Sequence, residues 1–237
     1  MERGTRTVGT VLVTGGASGL GAAVVAAVAR AGGRPLVLDL HAPADVDGTP
    51  VEHVIVDLSE PRRAEAAVRD VVERAGGRLD GVLTAAGTDR CGTLGEVDGA
   101  AWDRVVAVNL LGTAAVVRAA LPYLAQSRGT VVTVASTLGL KAVSDATAYC
   151  ASKFGVIGFT RALAAETRGR IGVTCLIPGG MHTAFFDDRD ERYKPPADAK
   201  LNRPEDTAGA VLFALSQPPG CEIRELVVAS SDEGSWP

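Results

Sequence analysis

The chain has 237 residues, 46% of them hydrophobic and 22% charged, with a net charge of -4. That is enough apolar material for a sizeable core, and it excludes a disordered chain and a basic nucleic-acid-binding surface. The polar start and the short apolar run at residues 8–13 exclude a signal peptide, and later apolar runs break well short of the roughly 18 residues a membrane span needs.

Strands and helices alternate along the chain. Residues 8–13 are a short apolar, β-branched run, read as a buried strand. Residues 19–31 have helical length and stop at Gly32-Gly33. A second strand covers 36–38, with Pro35 at its first position, and a third covers 51–56. Ser59-Glu60-Pro61 reads as a cap, an acidic first turn and an early proline, opening a helix that runs to about 75. Residues 80–84 are the fourth strand. A long helical pattern over 100–126 is expected to kink near Pro122. The fifth strand is 130–134, and a helix over 145–167 carries Tyr149. The sixth strand is 171–177, closed by Pro178-Gly179-Gly180. Asn202 or Arg203 caps a further helix with Pro204, Glu205 and Asp206 in its first turn. A seventh strand over 223–228 precedes a polar tail ending at Trp236-Pro237.

Repeated strand–helix units with non-alternating, buried strands imply an α/β fold. The expected fold is one doubly wound parallel sheet of about seven strands with helices on both faces, spanning 1–237 as a single domain. The long irregular stretch at 181–202 carries Phe185, Phe186 and Tyr193, and is read as a substrate lid. His182 is read as a lid or surface residue and Trp236 as a packing residue of the terminus. The four cysteines are scattered without a C-x-x-C, which fits neither a zinc site nor a disulfide framework. No metal is expected, and four reduced thiols suit a cytoplasmic protein.

Thr14-Gly15-Gly16-Ala17-Ser18-Gly19-Leu20-Gly21 joins the first strand to the first helix. Glycines there permit a tight turn and close backbone approach, and the helix N-terminus offers N–H groups and a positive dipole end to a pyrophosphate. Asp39 ends the second strand, 24 positions after Gly15. Its carboxylate can accept from the adenosine ribose hydroxyls and would repel a 2′-phosphate. No Arg or Lys follows in Leu40-His41-Ala42, so NAD is favoured over NADP. Asp57, followed by Leu58, either faces the adenine or caps the turn before Ser59. Small or special residues end the other central strands: Ala85-Ala86-Gly87, Ala135-Ser136 and Pro178-Gly179. Ligands of open α/β sheets bind beyond such ends.

Tyr149 and Lys153 stand four apart, on one face of a helix, where a phenol and an ammonium can change each other's acidity. The ordered set Thr14-x-x-x-x-Gly19-x-Gly21, Ala86-Gly87, Asn109, Ser136 and Tyr149-x-x-x-Lys153 resembles the short-chain dehydrogenase/reductase family over about residues 7–229. The resemblance implies an NAD(H)-dependent oxidoreductase that interconverts a secondary alcohol and a ketone. By it Tyr149 is the acid/base and Lys153 its partner and ribose clamp. Ser136 orients the substrate oxygen, and Asn109 holds a water in a proton relay. Met181 would contact the nicotinamide and Thr183 its carboxamide or the pyrophosphate. A homo-oligomer, tetramer or dimer, is common among relatives. Thr84 departs from the asparagine usual at the end of the fourth strand, and either its hydroxyl replaces that support or the support is missing. Two nearby cations, Lys153 and oxidised nicotinamide, are expected to favour the phenolate; a fall of two or three from the usual value of about 10 would suit a general base near pH 7 to 8. The alternatives are an NADP(H)-dependent ketoreductase, a dinucleotide-sensing regulator, which would not need the Tyr/Lys pair, and a non-redox enzyme such as a methyltransferase, which would leave Ser136, Tyr149 and Lys153 without a purpose.

Overall fold

A computed structural model describes residues 7–236. Residues 1–6, on which the expectation of no signal peptide partly rests, and Pro237 lie outside the described residues. Seven strands form one parallel sheet: β1 (Thr10–Thr14), β2 (Arg34–Asp39), β3 (Glu52–Ile55), β4 (Gly81–Thr84), β5 (Thr130–Val134), β6 (Gly172–Pro178) and β7 (Glu225–Val228). Their spatial order is β3-β2-β1-β4-β5-β6-β7, so the direction of winding reverses beside β1. That reversal opens a crevice at the carboxyl ends of β1 and β4.

Helices α1 (Gly19–Arg30) and α6 (Pro204–Leu215) cover one face; α2 (Pro61–Arg74), α4 (Thr113–Ser127) and α5 (Thr147–Glu166) lie on the other. Successive strand side chains point to opposite faces. Val11 and Val13 of β1 therefore pack with Val24, Val28 and Val211, while Leu12 between them packs with Val68, Val72 and Val116. Both faces are covered, so both sets are apolar, and the strands read as continuous hydrophobic runs.

Three boundaries shift for local reasons. The first strand starts at Thr10, because Gly9 has φ +66° and the Asp80 carboxylate accepts from the Thr10 N–H at 3.0 Å. Pro35 is the second residue of β2, tolerated because β3 joins only from Leu36. Helix α5 starts at Thr147 rather than near Asp145, whose φ of +60° is not helical. Glu60, not Ser59, holds the N-cap position of α2, and Arg203 that of α6.

The long helix is also built differently from expectation. Asp98 caps α3 (Gly99–Val106), accepting from the Ala101 N–H, and a π-helical segment, Ala107–Gly112, leads into α4. The register changes there and not at Pro122, which lies inside an unbroken α4. Such π segments widen a helix by a residue and often mark functional sites; this one carries Asn109. The joined stretch Gly99–Ser127 has 29 residues and is long and apolar enough by composition to cross a membrane. The reading of short broken runs missed it because Arg104, Gly112 and Arg118 interrupt the sequence but not the helix. Its apolar side, with Val116, Ala120 and Leu124, covers the sheet.

Candidate active site

A cleft of about 590 Å³ opens beyond the carboxyl ends of β1, β2, β4, β5 and β6. Asn109 apart, every residue given a catalytic or cofactor-binding role of its own lines it; within the glycine turn, Thr14, Gly16 and Ala17 do not.

At one end lies the β1–α1 turn. Gly15 has φ +70°, and a Cβ there would come within 2.8 Å of the Ala86 backbone. A Cβ on Gly21 would overlap the Gly15 carbonyl. The turn is thus held against the start of α1 and against the chain leaving β4. The first turn of α1 holds no acidic residue, and the Ser18 side chain makes no capping bond. Its N–H groups and dipole are left to an outside anion, which is what a pyrophosphate requires. The residues present fit a dinucleotide.

Asp39 closes this end. One carboxylate oxygen accepts from the Ala17 N–H at 2.9 Å, the other from the His41 N–H at 3.1 Å. Asp39 therefore caps the glycine turn and the chain after β2, and each oxygen keeps a lone pair for a ligand hydroxyl. Asp57 does cap the turn before Ser59, accepting from its N–H at 2.9 Å, and also pairs with Arg104 at 3.0 Å. Burial pushes the Asp57 carboxyl up, but its Ser59 and Arg104 partners outweigh it and hold the group below its ordinary range.

Toward the other end, α5 brings Tyr149 and Lys153 to the cleft on one face, with the ammonium 5.6 Å from the ring centroid. Lys153 is buried and donates to the Val134 carbonyl at 2.8 Å. Burial depresses it to about 8. The Ser136 hydroxyl, just beyond the end of β5, lines the same cleft and accepts from the Leu138 N–H at 3.1 Å. Burial nevertheless pushes Tyr149 up to about 12; Ser136 opposes that rise and the Asp89 carboxylate adds to it. The expected lowering is therefore absent from the protein without its ligand. Desolvation dominates, and the Lys153 ammonium gives its own bond to the Val134 carbonyl.

Asn109 sits just behind the cleft, 1% exposed. Its Oδ1 accepts from the Thr88 N–H at 2.8 Å, and Nδ2 donates to the Thr88 carbonyl at 2.9 Å and to Ser152 Oγ at 3.0 Å. Ser152 donates in turn to the Tyr149 carbonyl. Asn109 thus ties the π segment, the chain after β4 and the Tyr149 turn of α5 together. Both of its N–H donors are spent on protein, leaving only acceptor capacity. Thr84 gives no such support: its buried hydroxyl has no partner among the described residues, and Thr14 Oγ1 instead accepts from the Ala86 N–H at 3.1 Å.

The stretch after β6 folds over the Tyr149 end. Its two ends are stitched together, Met181 bridging to Asn202 and the His182 N–H donating to the Asn202 carbonyl at 2.9 Å. The Phe185 ring lies 5.8 Å from that of Tyr149, with Phe186 edge-on to it. Arg189 stacks over both rings, at 5.1 and 4.7 Å, and pairs with the nearly buried Asp89 at 2.7 Å. Arg189 and Asp89 were not singled out from the sequence; nothing local marks a pair 100 positions apart. Glu233 and Ser235, from the polar tail, also line the cleft unforeseen.

Residues 9–194 match the family model of the short chain dehydrogenases. The chain is 31% identical to a 2-(S)-hydroxypropyl-CoM dehydrogenase of Xanthobacter autotrophicus, covering 87% of this chain and 89% of that protein. It is 30% identical to an L-fucose dehydrogenase of Mus musculus, covering 94% and 88%. A 3-oxoacyl-[acyl-carrier-protein] reductase of Thermotoga maritima is also 30% identical, covering 86% and 89%. Among solved structures, the aldohexose dehydrogenase of Thermoplasma acidophilum superposes with a TM-score of 0.84 over 95% of both chains at 22% identity. The fold and the cleft define a dinucleotide-binding α/β oxidoreductase. The chain belongs to the short-chain dehydrogenase/reductase family, whose members use nicotinamide dinucleotides on small-molecule substrates.

Proposed function

We propose that the protein is an NAD(H)-dependent oxidoreductase that interconverts a secondary alcohol and a ketone, with Tyr149 as the general acid/base. The observation that carries this reading is the Tyr149 phenol at the cleft with the Lys153 ammonium 5.6 Å from its ring and Ser136 lining the same cleft. The relatives' names point the same way, since they describe dehydrogenases of a hydroxypropyl compound and of a sugar, and a reductase of a 3-oxoacyl group.

A bound nicotinamide supplies the hydride donor or acceptor and, when oxidised, a positive charge. Reduction suits the phenol as the structure holds it: protonated, and able to deliver its proton to the oxygen of a carbonyl. Oxidation asks Tyr149 to take the hydroxyl proton instead, and its raised pKa means that this direction needs further positive charge at the site. Ser136, on the same cleft as the phenol, would fix the substrate oxygen beside it. Lys153 keeps a cation at the ring and has donor capacity left for a ribose hydroxyl. Asn109 offers its remaining acceptor to a water behind the ring. Gly15, Ser18, Gly19, Leu20 and Gly21 would hold the pyrophosphate. Asp39, Leu40, Asp57 and Leu58 would hold the adenosine. Ala85, Ala86, Gly87, Pro178, Gly179, Met181 and Thr183 would hold the nicotinamide half. Asp39 supports NAD over NADP: it is a fixed carboxylate that would lie against a 2′-phosphate.

The test is Tyr149→Phe, followed by absorbance of NADH with a panel of secondary alcohols. Turnover should fall by about a thousandfold, as loss of a general acid/base does, with the Kd of NADH within about twofold of wild type. Normal turnover by this variant would overturn the mechanism.

A further inference from the structure

The tail at residues 230–236 crosses the cleft where β5 and β6 end. Ser235 Oγ lies 2.6 Å from Thr137 Oγ1 and donates to Glu233 Oε1 at 2.6 Å. A carboxylate only accepts, so the order is fixed: Thr137 donates to Ser235, and Ser235 to Glu233. The other oxygen, Oε2, accepts from the Gly180 N–H at 2.8 Å. One chain of hydrogen bonds therefore links the residue after Ser136 to the turn after Pro178. Gly179 is shaped to it, since a Cβ there would overlap the Glu233 carboxylate. Lys200 pairs with Asp232 at 2.7 Å and Lys141 donates to the Gly234 carbonyl at 3.4 Å, which holds the segment in place from both sides.

The charges at this end of the cleft are uneven. Arg189 is answered by Asp89. Lys153 is turned to the Val134 carbonyl, deep in the floor. Glu233 bonds only neutral N–H and O–H groups, and among the described residues no cation pairs with it. Burial pushes its carboxyl up, but the Ser235 hydroxyl and the Gly180 and Ser235 N–H groups outweigh that and hold it below its ordinary range, so it is ionised at neutral pH. An anion entering beside it meets a repulsion that protein surroundings screen poorly. A hydroxyl or other donor meets an acceptor.

We propose that residues 230–236 form the specificity wall of the substrate end, and that Glu233 selects neutral, hydroxyl-bearing substrates and rejects those carrying a carboxylate. The proposal rests on the alcohol–ketone reading above. Unwanted charge is turned away by a like charge, a common way to separate similar molecules.

The experiment compares kcat/KM for matched alcohols: butane-1,3-diol against 3-hydroxybutyrate, hexane-1,5-diol against 5-hydroxyhexanoate, and 1-phenylethane-1,2-diol against mandelate. Wild type should prefer the neutral member. Glu233→Gln removes the charge and keeps an acceptor for Gly180, and should move the ratio about tenfold toward the carboxylate. Amide hydrogen exchange gives a readout independent of substrate: Glu233→Ala should speed exchange at Gly180 by about tenfold, and Glu233→Gln should not. A wild-type preference for the carboxylates, a ratio unmoved by Glu233→Gln, or unchanged Gly180 exchange in Glu233→Ala would each overturn the proposal alone. If wild type turned over none of these alcohols with either nicotinamide dinucleotide, the reading it rests on would fall, and the proposal with it.

Discussion

The two ends of the cleft are assembled by different means. The dinucleotide end is made of backbone: a glycine turn, a helix N-terminus and the Asp39 cap that binds them, all within about 25 positions of one another. The substrate end is made of side chains from distant parts of the chain. Asp89 meets Arg189, Thr137 meets Ser235, and Gly180 meets Glu233. A backbone site serves one unvarying ligand, and the fold that provides it leaves little to vary. The side-chain site can be changed residue by residue without disturbing the sheet, which is where loops and tails carry specificity.

Four substitutions would break or sharpen that contrast. Asp39→Ala has the largest expected effect, about 2–3 kcal/mol in the ratio of NAD⁺ to NADP⁺ affinity, by removing a fixed charge from beside the 2′ position. It also frees the Ala17 N–H, so both affinities fall, and the ratio measured by titration is the informative quantity. An unchanged ratio would leave Asp39 as a turn cap only.

Lys153→Met should stabilise the protein at pH 7 by about 2 kcal/mol while abolishing turnover, because the wild type holds a desolvated cation there. The sign follows from the depressed pKa. Between about 8, the folded value, and the unfolded value of about 10.5, the unfolded chain binds the extra proton, so wild-type stability rises with pH across that window. The variant's advantage should accordingly fade by pH 10 in urea titrations. Tyr149 acts in the opposite sense: between about pH 10 and 12 the folded protein keeps a phenolic proton that the unfolded chain has lost, so stability falls as pH rises through that window.

Arg189→Lys keeps the charge but loses the flat guanidinium stacked on Phe185 and Phe186. The KM of the alcohol should rise about tenfold, or about 1.4 kcal/mol, with the dinucleotide Kd unmoved. A change in both would mean that the two ends are not separable. Thr84→Val removes a buried hydroxyl without a partner and should raise stability by about 1 kcal/mol, seen as a higher urea midpoint.

The same contrast governs what the sequence discloses. The glycine turn, Asp39 and the Tyr149/Lys153 pair are legible because each is a short spacing with one physical meaning: a tight turn, a strand end, a helix face. The central strands are legible because burial on both faces makes them runs rich in Val, Leu and Ile, whereas the edge strands Glu52–Ile55 and Glu225–Val228 are only partly buried. Asn109 could be named, but not its partners, because the π segment that turns it toward Thr88 and Ser152 has no pattern of its own. Arg189 was passed over among the mixed charges of its loop, and Glu233 among those of the tail. Their roles come from what faces them in space. The desolvation of Tyr149 in the protein without its ligand is likewise not legible: spacing reveals a neighbouring cation but not how much protein surrounds the phenol.

The hydrogen bond between Thr137 and Ser235 also sets an order in time. Its partners are 98 positions apart, so at the usual pace of about 5–20 residues per second a ribosome needs roughly 5–20 s to add the second after the first. Within that interval α5 and β6 are made and complete the floor of the cleft, while the tail that bonds Thr137 is still to come. The segment that closes the Tyr149 end of the cleft is thus made only after all seven strands of the sheet, so the framework of the cleft is complete before its wall can be tied down.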